Sequence, residues 1–275
     1  MALITLLTDF GTRGIYVGAM KGVIHTICPT AQVIDLTHQV TPQAIREGAF
    51  LLADAYRYFP ADTLHIAVVD PGVGTVRRAI ALRIPQVGTF IGPDNGLFTA
   101  LLLAHPAAQA RAITNPDFTI ARLGRAVSAT FHGRDLFAPT AALLAGGASF
   151  AEVGPHLEND TLILLPHFHA YSAADGTIHG EIVNIDRFGN LISNISRAQC
   201  AGFSAATLAT ARVDVAQHSC LGITVTYGTA ASGQVIALFG SNERLEVARV
   251  EGRADRGTGG PTLALGAKIT VTPTQ

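Results

Sequence analysis

The amino-acid sequence predicts an α/β domain with a mostly parallel sheet, followed by an all-β domain built as an antiparallel sheet or small barrel. In the first half, short apolar runs alternate with helical patterns, which is typical of a parallel sheet. After Pro166, short alternating runs separated by glycine and polar turns predominate. The chain has 275 residues, 48% of them hydrophobic, which is enough to build the cores of two such domains.

The first domain is predicted to span residues 1–166. Its predicted strands are Leu3–Thr8, Val33–Leu36, Leu64–Val69, Ala79–Ile84 and Thr89–Ile91. Its predicted helices are Gly14–Ile27, Gly96–Ala104, Asp135–Ala145 and one that begins at Thr41-Pro42 and runs to about Tyr58. In that last helix, Thr41 is expected to be the N-cap and Pro42 the first helical residue.

The second domain is predicted to span residues 177–275, after a linker at His167–Gly176. Its predicted strands are Gly180–Ile185, Leu191–Ile195, Gly222–Tyr227, Gln234–Phe239, Leu245–Val250 and Lys268–Thr272. Because these runs are short and separated by turns, they favour antiparallel pairing.

Composition and charge exclude several classes of protein. The formal net charge is −1 with no basic stripe, which argues against nucleic acid or an anionic membrane as partner. No apolar run approaches the ~20 residues needed to span a bilayer, and the N-terminus lacks the basic region of a secretory signal. The charged fraction is only 14%, which suggests that apolar surface is buried between subunits.

The cysteines and the missing motifs narrow the chemistry further. Cys28, Cys200 and Cys220 form no CxxC pair, so neither a disulfide framework nor a zinc knuckle is expected, and a cytoplasmic location is predicted. No HExxH motif or carboxylate cluster indicates a metal. No GxSxG motif indicates a serine hydrolase.

Two segments carry the residues best suited to chemistry. VVDPGVGTVRRA places Asp70 at the end of an apolar run and Arg77 after a glycine-rich turn. TFHGRDLFAP places His132 in a short polar segment. A carboxylate, a guanidinium and an imidazole together can hold and polarise one small nucleophile, such as water.

Several acidic residues follow predicted strands of the first domain. Asp9, Asp70 and Asp94 each end an apolar run, and Asn95 follows Asp94. Ligands of open α/β sheets bind beyond the carboxyl ends of the strands. A pocket is therefore expected at this edge of the sheet.

Each of these residues also has a purely structural interpretation, and the residues alone leave both open. Asp70-Pro71-Gly72 and Asp186 suit turns, Asp135 suits a helix cap, and His132 suits a hydrogen-bonded structural histidine. Arg77 and Arg78 suit a solvated strand edge. His167 and His169 flank Phe168 in a predicted loop, where they indicate no metal by themselves.

Six motifs in a fixed order give a more specific indication. They are LTDFG, VVDPGVGTVRRA, GPDNGLF, FHGRDLFAP, NIDRFGNLISNI and GSNERLEVA. Together they resemble the S-adenosyl-L-methionine (SAM) hydroxide adenosyltransferases, which are adenosine-forming SAM hydrolases related to fluorinase and chlorinase. The resemblance extends from Leu7 to about Gly266.

The resemblance implies hydrolysis of SAM to adenosine and L-methionine by attack of activated water or hydroxide at C5′, without a metal or other cofactor. It also implies a homotrimer with the sites between subunits. The implied catalytic residues are Asp70, Arg77 and His132. The implied substrate-binding residues are Asp9 for the ribose, Gly133 beside the nucleophile, Phe188, Asn190, Val250 and Glu251 for adenine, and Asp186 and Ser241 for the methionine portion.

Two departures from fluorinase bear on the reaction. Fluorinase has Tyr at the position of Asp70 and Tyr-Ser at the positions of His132-Gly133, so the charged set here suits water better than a halide. Fluorinase also has Ser-Arg where this chain has Ser241-Asn242, which leaves Arg249 as a candidate partner for the methionine carboxylate. The alternative functions are a halide adenosyltransferase and a non-catalytic module that binds SAM or adenosine.

Overall fold

The structure is a computed structural model that describes residues 2–256 and 263–274. The chain divides into two compact units, Met1–Pro166 and His167–Gln275, and each is described by itself. Among the described residues, no helix combines the length and the apolar character required to cross a membrane.

The first unit is built on a seven-stranded sheet with the strand order β2-β1-β3-β5-β4-β6-β7. The strands are β1 (Leu3–Thr8), β2 (Gln32–Thr37), β3 (Thr63–Val68), β4 (Ala79–Ile84), β5 (Gly88–Pro93), β6 (Gln109–Ala112) and β7 (His156–Leu157). Strands β2, β1, β3 and β5 pair in parallel, whereas β4 is antiparallel to both β5 and β6. Five of the seven strands therefore point the same way, since β7 is antiparallel to β6. The prediction of a mostly parallel sheet is confirmed.

Helices cover this sheet and close its core. They are α1 (Tyr16–Ile27), α2 (Ile45–Ala55), α3 (Thr99–Ala104) and α4 (Ala138–Ala145). Every residue of β3 is buried, as expected for a central strand of a parallel sheet, and His65 is among them. Met20 and Ile24 of α1 pack with Ile4 and Ile66 of the sheet. This packing fixes the carboxyl ends of β1 and β3, which carry Asp9 and Asp70.

The start of α2 was predicted wrongly. The helix begins at Ile45, and Thr41-Pro42 lies in a turn before it. Gln43 has a φ of 67°, a left-handed conformation that cannot continue a right-handed helix. The Gln43 N–H donates to Asp9 Oδ2 at 2.9 Å, so a tertiary contact holds this turn.

The second unit is built on a nine-stranded sheet with the order β12-β11-β16-β9-β10-β15-β14-β13. The strands are β8 (Tyr171–Ser172), which pairs with β9, β9 (Ile178–Ile185), β10 (Leu191–Ser196), β11 (Arg212–Val215), β12 (His218–Leu221), β13 (Ile223–Thr224), β14 (Val235–Phe239), β15 (Arg244–Arg249) and β16 (Lys268–Thr272). One further helix, α5, spans Ala205–Thr210.

The pairing of these strands is antiparallel except between β13 and β14. Strand β12 at one end of the order contacts β14 near the other, so the sheet curls into a nearly closed barrel. Ile182, Leu191, Val213, Val247 and Ile269 are among the side chains that fill it. The prediction of an antiparallel sheet or small barrel is confirmed.

Two details of the second unit differ from the prediction. Only Ile223–Thr224 of the predicted strand Gly222–Tyr227 is extended in a sheet, and a single 3₁₀ turn occupies Tyr227–Thr229. The segment His167–Gly176 is not a free linker, because Ala170 lies in the core of this unit and β8 pairs with β9. Short polar strands such as β11 and β12 carry too few residues for their alternation to be recognised.

Candidate active site

The loop after β3 places Asp70 at the carboxyl end of the sheet. Asp70 begins a turn in which the Val73 N–H donates to its carbonyl oxygen at 3.3 Å. Gly74 has a φ of 79°, and a Cβ there would overlap the carbonyl oxygen of Ala129. Glycine therefore lets this loop lie against the segment that leads to His132.

Arg77, which follows this loop, donates two hydrogen bonds to the Asp70 carboxylate. Arg77 Nε donates to Asp70 Oδ1 at 2.9 Å, and Arg77 Nη2 donates to Asp70 Oδ2. Only 4% of the Asp70 side chain and 8% of the Arg77 side chain are exposed. A buried bidentate pair of this kind has a single geometry, so Asp70 orients the guanidinium.

His132 completes the cluster from the other segment. It immediately precedes a π-helical turn, Gly133–Phe137, that leads into α4. Arg77 Nη2 lies 2.7 Å from His132 Nδ1. Because a guanidinium only donates, His132 Nδ1 must accept, and the proton of the neutral ring is on Nε2. Burial lowers the pKa of His132, and the charge of Arg77 lowers it further against the opposing effect of Asp70 and Asp135.

One donor of the cluster has no protein partner. Arg77 Nη1 is buried and makes no hydrogen bond within the part of the chain that the structure describes. An unsatisfied buried donor is costly, and it is the kind of group that a bound ligand or water completes. The Arg77 Nη1–H and the His132 Nε2–H are thus two donors of the cluster with no hydrogen-bond partner among the described residues.

Asp9 and Gly133 lie in the same unit. Asp9 directly follows β1, the neighbour of β3, and its Oδ2 accepts the Gln43 N–H. Gly133 is buried, and a Cβ there would lie 3.2 Å from Met20 Sδ and 3.4 Å from the Phe10 ring. A larger residue at Gly133 would therefore press on this packed aromatic layer.

Three other polar residues of this edge have structural roles. Asp94 accepts from Arg78 Nε at 2.8 Å and from the Ile163 N–H at 2.9 Å. Asn95 donates to the Val69 carbonyl. Asp135 is fully buried, where it accepts the Ser128 N–H and pairs with Arg134, so it does not act as a simple helix cap. These three groups are thus already occupied by protein partners, and the pocket expected at this edge of the sheet stays a prediction.

The predicted residues of the second unit all line one cavity of about 740 Å³. They are Asp186, Phe188, Asn190, Ser241, Val250 and Glu251. Phe188 is 73% exposed, which is unusual for a phenylalanine and leaves its ring available to stack on a flat ligand. Their individual roles stay predictions, but their convergence makes this cavity the natural binding site of the unit.

Asp186 shapes the turn that presents this wall. Its Oδ1 accepts the N–H groups of Phe188 and Asn190, each at 2.9 Å, and its Oδ2 accepts from Asn190 Nδ2 at 2.9 Å. Gly189 has a φ of 84°, and a Cβ there would lie 2.5 Å from Asp255 Oδ1. The turn interpretation of Asp186 therefore holds, and the same carboxylate also borders the cavity.

The sequence reasoning missed two residues of this cavity, Tyr227 and Glu246. Glu246 is 6% exposed on β15, and the Tyr227 hydroxyl donates to its Oε1. Burial raises the pKa of Glu246, and the negative charge of Asp186 raises it as well, against the opposing hydrogen bond from Tyr227. The sequence signal that could have identified Glu246 is a glutamate between Leu245 and Val247, in the apolar middle of a strand that has an arginine at each end.

The structure also locates the remaining candidates, Arg249, His167 and His169. Arg249 lines the cavity, and its guanidinium donates to the carbonyls of Gly233 and Arg253. His167 and His169 line a separate cavity of about 530 Å³ in the second unit. Within residues 2–256 and 263–274, no three or more His, Cys, Asp or Glu side chains are grouped so as to hold a metal ion.

Comparison with known proteins identifies the family of this chain. The sequence profile of the SAM hydroxide adenosyltransferase N-terminal domain matches residues 4–154, and that of the C-terminal domain matches residues 180–262. An (R)-S-adenosyl-L-methionine hydrolase from Salinispora tropica is 41% identical over 91% of both chains. A fluorinase from an Actinoplanes species is 31% identical over 71% of this chain and 72% of its own.

The fold is shared as well. The crystal structure of an uncharacterized conserved protein from Thermotoga maritima superimposes with a TM-score of 0.88 and 32% identity, covering 98% of this chain and 99% of that one. Both domain profiles match in the expected order, on either side of the boundary between the two units. The chain therefore belongs to the SAM hydroxide adenosyltransferase family.

Proposed function

We propose that this protein hydrolyses SAM to adenosine and L-methionine, with a water-derived oxygen attacking C5′ in line with the C5′–S bond. The observation that carries this proposal is the buried Asp70–Arg77–His132 cluster with its unpaired Arg77 Nη1 donor. The hydrolase from Salinispora tropica supports the same substrate, because it is similar over nearly the whole chain.

The substrate makes modest chemical demands. When C5′ is attacked, the electron pair of the C5′–S bond moves to sulfur, and the sulfonium leaves as a neutral thioether. No acid is needed for the leaving group. The difficulty lies in the nucleophile, because bulk water has a pKa of about 15.7 and is a poor one.

The cluster fits the task of stabilising that nucleophile. Arg77 Nη1 and the His132 Nε2–H donate to the attacking oxygen as negative charge builds on it. Asp70 keeps one lone pair on each carboxylate oxygen, since each accepts a single bond from Arg77, and can accept the proton that the water loses. Holding water and C5′ in near-attack geometry contributes up to about 7–11 kcal/mol.

The cavity of the second unit supplies the binding energy. Phe188 and Asn190 contact adenine with help from the backbone of Val250 and Glu251, and Asp186 and Ser241 hold the methionine portion. This assignment is supported by their convergence on one cavity. Asp9 holds the ribose hydroxyls, as the resemblance implies.

We further propose a metal-independent reaction in a homotrimer, with each substrate enclosed by the first unit of one subunit and the second unit of the next. Exposed apolar side chains support burial by a partner: Val76, next to Arg77, is fully exposed, and Ile15 is 82% exposed. Light scattering should report three subunits, whereas a fully active monomer would overturn this part. A reducing, cytoplasmic location remains a prediction that rests on three sparse cysteines, which the structure leaves buried and unpaired.

Halide transfer is the alternative reaction, and Asp70 disfavours it. A carboxylate at the site of attack repels a halide, and that repulsion grows as water is excluded. Water can donate to the carboxylate and accept from Arg77 at once. A non-catalytic binding module would need the cavity of the second unit but not the buried cluster of the first.

The decisive experiment is incubation of the purified protein with SAM in oxygen-18 water. Adenosine and methionine should form in equal amounts, and the adenosine should carry one heavy oxygen atom. EDTA should leave the rate unchanged. Unlabelled adenosine, or 5′-chloro-5′-deoxyadenosine formed in high chloride, would contradict the hydrolase assignment, and the absence of any product would favour the binding module.

A further inference from the structure

Two carboxylates, Asp186 and Glu246, border the same cavity of the second unit. The charge of Asp186 raises the pKa of Glu246, so the two groups sense each other. Two anions in a partly enclosed cavity need a cation to offset their repulsion and their loss of water.

Arg249, which lines the cavity, and Arg253, which follows the lining segment, donate their hydrogen bonds to other groups. The Arg249 guanidinium donates to the Gly233 and Arg253 carbonyls. Arg253 forms a two-donor pair with Asp255 and also donates to the Arg187 carbonyl. Neither arginine donates a hydrogen bond to Asp186 or Glu246, although Arg249 keeps its charge and lines the same cavity. The free acceptor positions of the two carboxylates are therefore open to N–H donors of a ligand.

Counting acceptor positions shows that Asp186 cannot bind an ammonium group alone. Its Oδ1 already accepts two N–H groups, and its Oδ2 accepts one, so a single lone pair remains. An ammonium group has three N–H donors. At least one further acceptor is needed on the same wall.

Glu246 has the free capacity that Asp186 lacks. Among the described residues, its hydrogen-bond donor is the Tyr227 hydroxyl, which occupies one position on Oε1. Its Oε2 lies beside Gly240, where a Cβ would approach to 2.6 Å. Ser241, the next residue, is predicted to bind the methionine portion, and this prediction places Oε2 at the amino-acid end of the cavity.

We propose that Glu246 binds the α-ammonium group of the substrate's methionine portion together with Asp186, and that Tyr227 is a positioning residue that fixes the Glu246 carboxylate. This inference rests on the proposed function for the identity of the ligand. The sulfonium is a poorer match for these oxygens, because it carries no N–H donor.

Ligand binding at Glu246 should depend on pH. The groups that face Glu246 are Tyr227, Asp186 from the turn after β9, and Arg249 and Glu251 at the end of β15. An ammonium group needs Glu246 ionised, and its raised pKa means that binding weakens at a higher pH than for an ordinary glutamate. Replacing Glu246 by glutamine should remove this acid-side dependence, which a purely structural role would leave in place.

The test is calorimetry on the full chain with two ligands that are not hydrolysed. S-adenosyl-L-homocysteine carries the ammonium group without a sulfonium, and adenosine carries neither. Glu246→Gln should weaken S-adenosyl-L-homocysteine by about 10- to 100-fold, the range expected when a hydrogen bond to a charged group is lost. Adenosine binding should not change. Tyr227→Phe should cause a smaller loss in the same direction and shift the pH at which binding weakens.

Glu243→Gln is the matched control, because this substitution removes the same charge three residues away. The Glu243 side chain is exposed and paired with Arg197. Neither ligand should bind differently to this variant.

If Glu246→Gln left both affinities unchanged, or weakened the binding of both ligands equally, the assignment would be wrong while the proposed function stood. SAM binding can be measured in an Asp70→Asn background. If Glu246→Gln weakened the binding of SAM there but not the binding of S-adenosyl-L-homocysteine, Glu246 would face the sulfonium, and the ammonium assignment would fail. A wild-type chain that bound neither ligand would refute both the assignment and the proposed function.

Discussion

The two polar sites of this protein are built in opposite ways. In the first unit, Asp70, Arg77 and His132 bond to one another in a buried cluster that leaves one donor unpaired. In the second unit, acidic and aromatic groups line an open cavity, with Phe188 largely exposed. A group that must stabilise a developing charge gains from fixed geometry and low dielectric, whereas a site that must admit a large ligand needs open surface.

The largest effect is expected on turnover, from a substitution that breaks the cluster of the first unit. Asp70→Asn places an amide N–H₂ against an Arg77 donor, so the guanidinium loses its fixed orientation. Turnover of SAM should fall by about 10³-fold, near the upper range seen when a donor to a developing oxyanion is lost, while SAM binding should change little. Chromatography of adenosine and calorimetry with SAM measure the two quantities.

Asp94→Asn is the matched control for that prediction. Asp94 follows β5 as Asp70 follows β3, and its buried carboxylate pairs with Arg78, whose side chain is 33% exposed. Arg78 Nη2 lies 2.5 Å from Asp94 Oδ2. The substitution should reduce stability and leave turnover nearly intact. Equal loss of turnover in both variants would show that Asp70 acts through the fold and not through the reaction.

The next effect concerns the stability of the first unit. His65 is fully buried between Thr5 and Phe90, and burial lowers its pKa from 6.5 to about 4. The unfolded chain therefore binds more protons than the folded chain between these values. The free energy of unfolding should fall as the pH falls through this window, by up to roughly 3 kcal/mol.

Hydrogen exchange measured at pH 7 and pH 4.5 can assign that loss to one unit. Protection of β1, β3 and β5 should fall at the lower pH in the wild type. In His65→Asn, which does not titrate, the pH-dependent part of this loss should disappear. A loss of the same size in the variant would attribute the effect to other groups.

A smaller effect is expected from the cavity of the second unit. Asp186→Asn keeps an oxygen for the N–H groups of Phe188 and Asn190 and removes the charge. The dissociation constant for SAM, measured in an Asp70→Asn background, should rise about 10-fold. Single-turnover rates at saturating SAM should stay close to wild type when Asp70 is intact. If Asp186→Asn slowed the chemical step and left SAM binding unchanged, the roles assigned to the two units would be wrong.

The smallest effect is the pH dependence of turnover near neutrality. The cluster needs neutral His132, because its Nδ1 accepts from Arg77. The lowered pKa of His132 keeps the ring neutral above 6.5, so turnover should be nearly flat from neutral pH upward and fall only as the pH drops below that value. A pH–rate profile checks this, and an acid limb centred above 6.5 would show that protonated His132 is the reactive form.

The sequence by itself determined the fold class of both units and singled out Asp70, Arg77 and His132, which the structure brings into one cluster. A strand that alternates apolar and polar residues, or that is mostly apolar, can be recognised from local sequence. For that reason the bounds of β1, β3 and β4 could be predicted within a residue or two. The ordered motifs placed Asp70, Arg77 and His132 in one set, although Arg77 and His132 are 55 positions apart.

Only the tertiary structure decided how those groups are used. The start of α2 depends on the Gln43 contact with Asp9, which no local pattern contains. The tautomer of His132 follows from a donor that approaches from a different loop. Glu246 lies within the motif GSNERLEVA but received no role from the sequence, because its significance comes from Tyr227 and Asp186, which reach the same cavity from other parts of the barrel. Such pairings depend on long-range packing, and a sequence read along the chain shows neighbours in order but not neighbours in space.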